Sequence, residues 1–161
     1  MRGPNSSLAL LLISLCMLGS GAAETKVSDY AVIVNPKNHV EGVTTQQLRK
    51  LLLGEDRFWN HSLPVSLVIR ESGSAEGEFL FHKFLLMRQS EYMEHWNGKV
   101  FRGEASAEPI VVPSNGLATG LVASRVGCFA LIRAENVPKN QTVKILKIDG
   151  KLPGDSGYPL R

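Results

Sequence analysis

Residues 63–87 constrain the fold of this chain most strongly, because they join a strand pattern to a helix pattern through a short turn. Residues 63–69 form a short β-branched run, which predicts a buried strand of an α/β sheet. Residues 78–87 carry apolar side chains at helical spacing, in a stripe at positions 80, 81, 84 and 85. The sequence therefore predicts a strand, a Ser/Gly turn and an amphipathic helix, in that order.

The turn after this strand, residues 70–76, is the best candidate for a binding site. A helix start leaves backbone N–H groups unpaired and carries partial positive charge, so it attracts an anion. Arg70 would pair with that anion, and Ser72 and Ser74 would supply hydroxyl groups. The pattern also fits an ordinary helix start, in which Ser72 or Ser74 is the N-cap and Glu76 and Glu78 satisfy the helix dipole. Spacing alone leaves both interpretations open.

Strand and helix signals alternate along the rest of the chain. Thr44 and Gln47 have capping-box spacing, and Gly54 is expected to end the helix that they begin. The other predicted elements are strands at residues 30–34, 109–113 (toward a sheet edge), 128–132 and 143–148, and helices at residues 91–96 and 118–126. This alternation predicts a layered α/β fold, in which ligands bind beyond the carboxyl ends of the strands.

The first 23 residues have the features of a secretory signal peptide. Arg2 precedes an apolar run over residues 8–18, and small residues follow, with cleavage expected after Ala23. Cys16 is preceded by the bulky Leu15, which disfavours a lipid-anchored protein. We therefore expect a cleaved signal peptide at 1–23, a single domain at 24–161, and a periplasmic or secreted location.

The charge, the cysteine content and the spacing of histidine and serine residues argue against several classes of protein. The formal charge is +3, or +2 once Arg2 is removed, and the basic residues are scattered, so nucleic-acid binding is not expected. Cleavage leaves Cys128 as the single cysteine, so no intrachain disulfide is expected. His39 and His61 have no spacing that joins them to other metal donors, and Ser74 lacks a nucleophile-elbow pattern. We expect neither a metal, nor a cofactor, nor an enzymatic activity.

Five separate segments resemble the periplasmic phosphate-binding proteins of bacterial ABC importers. Residues 70–76 (Arg-Glu-Ser-Gly-Ser-Ala-Glu) resemble the phosphate loop of that family, usually Arg-Ser-Asp-Gly-Ser-Gly-Thr. The other four are residues 48–54 with Trp59-Asn60 behind them, Asn115-Gly116-Leu117, residues 127–131 and residues 157–160. The resemblance implies a three-layer α/β sandwich with a central mixed sheet, like one lobe, the second, of a type II periplasmic binding protein.

The resemblance also implies which residues bind the anion. They are Arg70, Ser72, Gly73, Ser74, Ala75 and Glu76. Three of them depart from the family pattern: Ser72 replaces an aspartate, Ala75 a glycine and Glu76 a threonine. A glutamate at the helix start repels a dianion, so weak binding is expected.

Two functions follow from this resemblance. The first is an exported domain, related to phosphate ABC transport, that binds phosphate or a similar oxyanion and contacts a membrane transporter or another envelope protein. The second is an interaction module that kept the fold and lost the ligand, and that works in a larger envelope assembly.

Overall fold

The structure is a computed structural model that describes residues 28–161. The predicted signal peptide lies outside these residues. The strands are β1 Tyr30–Val34, β2 Gly42–Val43, β3 Ser66–Arg70, β4 Ile110–Val112, β5 Cys128–Arg133, β6 Lys144–Ile145 and β7 Lys147–Ile148. The helices are α1 Thr45–Leu52, α2 Ala75–Glu78, a π-helical segment Phe79–Leu85, α3 Gln89–Phe101, α4 Asn115–Ser124 and a 3-10 turn Ala134–Asn136.

Five strands form the central sheet in the order β4-β3-β5-β1-β6. Strand β3 is parallel to both β4 and β5, whereas β1 is antiparallel to β5 and β6. The sheet is therefore mixed, as expected, and β4 lies at its edge, where a strand bounded by prolines is tolerated. Strands β2 and β7 form a separate two-stranded parallel pair.

Helices cover both faces of the central sheet. All five residues of β1 are buried, as its continuous apolar run predicts. Tyr30, Val32 and Val34 belong to the core that β1 shares with α1, the π-helical segment and α3. Ala31 and Ile33 belong to the opposite core, which α4 closes. The predicted three-layer α/β sandwich is thus confirmed.

Local capping signals fix the first helix as predicted. The Thr44 side chain accepts a hydrogen bond from the backbone N–H of Gln47, and the Gln47 side chain accepts one from the backbone N–H of Thr44. Gly54 follows the helix with a φ of +66°, and a Cβ built on it would lie 2.5 Å from the Trp96 ring. Glycine at position 54 therefore permits both the turn and the packing of Trp96.

The helix predicted for residues 78–87 begins earlier and changes type. It starts at Ala75 and becomes a π-helix from Phe79 to Leu85. π-helical winding alters the angular spacing of side chains, so the buried set differs from the predicted stripe. Phe79, Leu80, Phe81 and Leu85 are buried, and Phe84 is only partly buried.

Other predicted bounds were also wrong, and the strand predicted at residues 63–69 spans Ser66–Arg70. Helix α3 has 13 residues instead of the short piece predicted at 91–96. Helix α4 ends at Ser124, since Arg125 is already extended. Residues 143–148 do not form one strand. Strand β6 pairs with β1 and strand β7 pairs with β2, and Leu146 lies between the two strands. Over residues 28–161, no helix combines the length and the apolar character that crossing a bilayer requires.

Candidate functional site

Three parallel strands end at the same edge of the sheet, and the candidate site lies there. Arg70 at the end of β3 is paired with Val112 at the end of β4. Arg133 ends β5, the neighbour of β3 on its other side. The turn after β3 leads into α2 and the turn after β4 leads into α4, so polar residues of both turns meet at this edge.

Ser74 is the N-cap of the helix that follows the turn. Its hydroxyl accepts a hydrogen bond from the Gly77 N–H (3.0 Å) and donates one to the Glu71 carbonyl (2.6 Å). A Cβ on Gly77 would lie 2.0 Å from the Glu71 carbonyl oxygen, so only glycine fits against the turn. The Ser74 hydroxyl therefore caps the helix, as one of the two sequence interpretations predicts.

The other turn residues have different partners. The Ser72 N–H donates to the Gln89 side chain (3.0 Å), which ties the turn to α3. Gly73 is exposed, with open space where a Cβ would stand. The Ala75 carbonyl accepts from the Tyr30 hydroxyl (3.0 Å), which links the helix to β1. These contacts join the turn to α3 and the start of the helix to β1.

Glu76 points its carboxylate into the edge of the sheet and is only 4% exposed. One oxygen accepts from the Asn115 amide at 2.8 Å and from the Arg133 backbone N–H at 3.4 Å. The other oxygen lies 3.8 Å from Nε of Arg70. A carboxylate of the chain itself thus lies among the arginine, amide and backbone donors of this edge.

Arg70 retains an unused donor at this site. Its side chain is 12% exposed, and one terminal nitrogen donates to the Val112 carbonyl (3.1 Å). Its Nε is buried and has no hydrogen-bond partner within residues 28–161, and the same holds for Nε of Arg133. Buried donors without partners are costly, so an additional acceptor at this edge would be stabilising.

The surroundings of Glu76 keep its carboxyl group charged. Burial raises the pKa of Glu76, but the Asn115 amide, the backbone N–H groups of Glu76 and Arg133, and the Arg70 charge together lower it by more. The pKa of Glu76 therefore lies below its ordinary value. At neutral pH the ionised carboxylate compensates the charge of Arg70.

The structure brings Arg70 and Glu76 together and adds two residues that the site prediction missed. Asn115 was recognised only as a helix entry, and Arg133 was not singled out. Arg133 directly follows an apolar strand run and Asn115 begins the helix after another, but the meeting of these strand ends beside Glu76 depends on the strand order, which the sequence does not show locally. The hydrogen bonds of Ser72, Ser74 and Ala75 go to Gln89, to Glu71 and Gly77, and to Tyr30, and none of them goes to Arg70.

A pocket lies at the opposite end of the parallel strands, beside the starts of β3 and β4. Its volume is about 310 Å³, and Leu51, Leu67 and Trp96 are among its apolar walls. Arg57 and Glu108 are among its charged lining residues. This pocket shares no residue with the Arg70 edge.

Comparison with known proteins identifies solved structures of the same fold. No family model matches the chain. An ABC-type phosphate transport receptor from Vibrio cholerae is 19% identical with a TM-score of 0.60, over 78% of this chain and 48% of that chain. A phosphate ABC transporter substrate-binding protein from Clostridium perfringens, solved with bound phosphate, is 18% identical with a TM-score of 0.62, over 78% and 47%. PstS from Borrelia burgdorferi is 19% identical with a TM-score of 0.59, over 78% and 49%.

The chain spans about half the length of each of these proteins. At this level of identity the comparison establishes the fold. The mixed-sheet α/β sandwich of this chain has the architecture found in one part of phosphate-binding receptors of ABC transporters.

Proposed function

We propose that this chain is an exported, non-enzymatic domain that binds phosphate or a similar oxyanion at the Arg70 edge of its sheet. The proposed binding residues are Arg70, Ser72, Gly73 and Ser74, together with Ala75 and Glu76 through their backbone N–H groups, and Asn115 is added to them. One observation carries the proposal: Arg70, Asn115 and the Arg133 N–H already surround a carboxylate, the side chain of Glu76. Groups that hold one oxyanion are chemically suited to hold another.

The unused donor of Arg70 supports the same proposal. Its buried Nε has no hydrogen-bond partner within residues 28–161, and an oxygen of phosphate would supply one. The fold shared with phosphate receptors supports phosphate as the first ligand to test. Binding is expected to be weak, because the ligand competes with the negative charge of Glu76 for Arg70.

The proposed location and partners rest on the sequence and on the shared fold. The signal-peptide features of residues 1–23 support export to the periplasm or outside the cell. The similar structures are proteins of phosphate ABC transport, which supports a membrane transporter or another envelope protein as partner. We propose that residues 24–161 act as one domain in that role.

The buried Glu76 carboxylate also favours a second candidate, an interaction module without a ligand. In that case the Arg70–Glu76 pair is a structural link between the helix and the strand ends, and no anion binds. This candidate predicts a normal fold, a stable protein partner and no phosphate affinity.

Calorimetric titration of the purified exported chain with phosphate and with sulfate at low salt separates the two candidates. The test variant is Arg70→Ala. The matched control is Arg102→Ala, which removes an exposed arginine paired with Glu104 at the end of α3. Oxyanion binding predicts saturable heat in the wild type and the control, and at least a tenfold loss of affinity in Arg70→Ala.

Two results would contradict the proposal. Equal affinity in the wild type and Arg70→Ala would show that the anion binds elsewhere. No saturable heat in any variant at millimolar anion would favour the interaction module.

A further inference from the structure

We infer that Glu76 is a tethered competitor, whose carboxylate occupies the anion position beside Arg70 and must move before phosphate or sulfate binds there. The inference rests on the proposed function. It adds that the position of the Glu76 side chain determines the affinity of the site for the anion. In this account the wild-type chain exists in a closed state, with Glu76 at the site, and an open state with the site free. Only the open state binds an external oxyanion.

Glu76 differs from its acidic neighbours in both burial and reach. Glu71 is exposed, and Glu78 is exposed and pairs with His82 one helical turn away. Glu76 instead contacts Asn115 and Arg133, which are 39 and 57 residues away in the sequence. Its carboxylate therefore contacts β3, β5 and α4 at the proposed ligand position. An acidic residue that only compensates the dipole at a helix start does not make such contacts.

The contacts of Glu76 leave part of the site unsatisfied. The distance of 3.8 Å from Nε of Arg70 to the carboxylate is too long for a hydrogen bond, and the Arg133 N–H contact is long at 3.4 Å. Only the Asn115 contact, at 2.8 Å, has good hydrogen-bond length. A tetrahedral oxyanion is not tethered to the helix, so it can approach Arg70 more closely than Glu76 does.

The charges make the competition direct. With Glu76 in place, the pair formed with Arg70 is neutral, and a dianion would meet a like charge at close range. The apparent dissociation constant equals the intrinsic constant divided by the fraction of open molecules. Removal of the Glu76 charge raises that fraction and also removes the repulsion.

The test compares phosphate affinity, by calorimetry at pH 7.5, in the wild type and in Glu76→Gln. Glutamine keeps an oxygen acceptor for Asn115 but carries no charge. Glu78→Gln is the matched control. It removes the same charge from a residue that is exposed and lies two positions further along the chain. We expect Glu76→Gln to bind phosphate at least about tenfold more tightly than the wild type, which is ~1.4 kcal/mol. Glu78→Gln should change the affinity less than threefold.

The double variant Arg70→Ala/Glu76→Gln separates this inference from the proposed function. Tight binding in Glu76→Gln that is lost in the double variant supports both. Arg70-dependent binding that is equal in the wild type and Glu76→Gln overturns the competitor role alone, as does an equal gain in Glu78→Gln. No Arg70-dependent binding in any variant overturns the proposed function, and the competitor role with it.

A measurement on the wild type covers the case in which Glu76→Gln does not fold. Carbon-13 NMR of the labelled glutamate side chains reports the environment of the Glu76 carboxyl during a phosphate titration. Displacement predicts a shift of the Glu76 carboxyl signal that saturates together with binding, and an unchanged Glu78 signal. Phosphate binding without a change at Glu76 would overturn the inference.

Discussion

A carboxylate buried beside an arginine is stable only while both charges remain compensated. Glu76 meets this condition through Asn115, the Arg133 N–H and Arg70. Its contribution to the free energy of folding should therefore depend on pH. Because its pKa in the folded state is below the ordinary value of 4.5, the stabilisation is present above pH 4.5 and is lost as pH falls through the folded-state pKa.

Glu76→Gln tests this dependence. At pH 7 the variant should be less stable than the wild type by roughly 1.5–3 kcal/mol, the range for hydrogen bonds to charged groups. At pH 3 the difference should shrink, because pH 3 lies below the ordinary pKa of 4.5 and the stabilisation that comes from the lowered pKa decreases as the pH falls below that value. Urea unfolding at the two pH values measures the difference, with Glu78→Gln as the charge control. A difference that is equal at both pH values would contradict the assignment of the effect to the Glu76 charge.

Arg70 shows how one residue acquires its role from the sheet register. It was selected from the sequence because it lies between a buried strand and a helix start, in a segment that resembles a phosphate loop. Asn115 and Arg133 could not be selected in the same way, since their contact with Glu76 depends on β4 and β5 both lying beside β3. The strand order is a property of the tertiary structure and has no local signal in the chain.

The join between β3 and α2 depends on a close approach of two backbone segments. Gly77→Ala would place a Cβ 2.0 Å from the Glu71 carbonyl oxygen. In an ordinary helix this substitution is favourable by up to about 1 kcal/mol. Here we expect destabilisation by about 2 kcal/mol or more, because the turn must move away from the helix.

Gly73→Ala is the matched control, because its Cβ would meet nothing within 4 Å. Thermal unfolding should show a lower melting temperature for Gly77→Ala and a change of at most a few degrees for Gly73→Ala. Equal melting temperatures for the two variants would contradict the close packing of turn and helix.

Elements defined by local signals were predicted well. The buried strand β1 follows from its continuous apolar run, and α1 follows from its capping box. Elements defined by distant contacts were predicted poorly. Residues 143–148 alternate like one strand, but they divide between β1 and β2 because two different partners compete for them. The π-helical segment packs against the core. A search for apolar residues at the 3.6-residue spacing of an α-helix cannot identify it.

At the scale of the whole molecule, a mixed sheet covered by helices on both faces presents its strand ends as the natural place for a ligand. In this chain the carboxylate of Glu76 lies beside Arg70 at that edge. The proposed competitor role accounts for the shared architecture and the buried Glu76 together, because it places an anion position at this edge and the Glu76 side chain in it.

The most direct test of this account is a crystal structure of the Glu76→Gln variant grown in phosphate at a concentration that saturates binding in solution. The account predicts tetrahedral electron density within hydrogen-bond distance of Nε of Arg70 and of the Asn115 amide. Phosphate bound away from Arg70, or an Arg70 edge without such density, would contradict it.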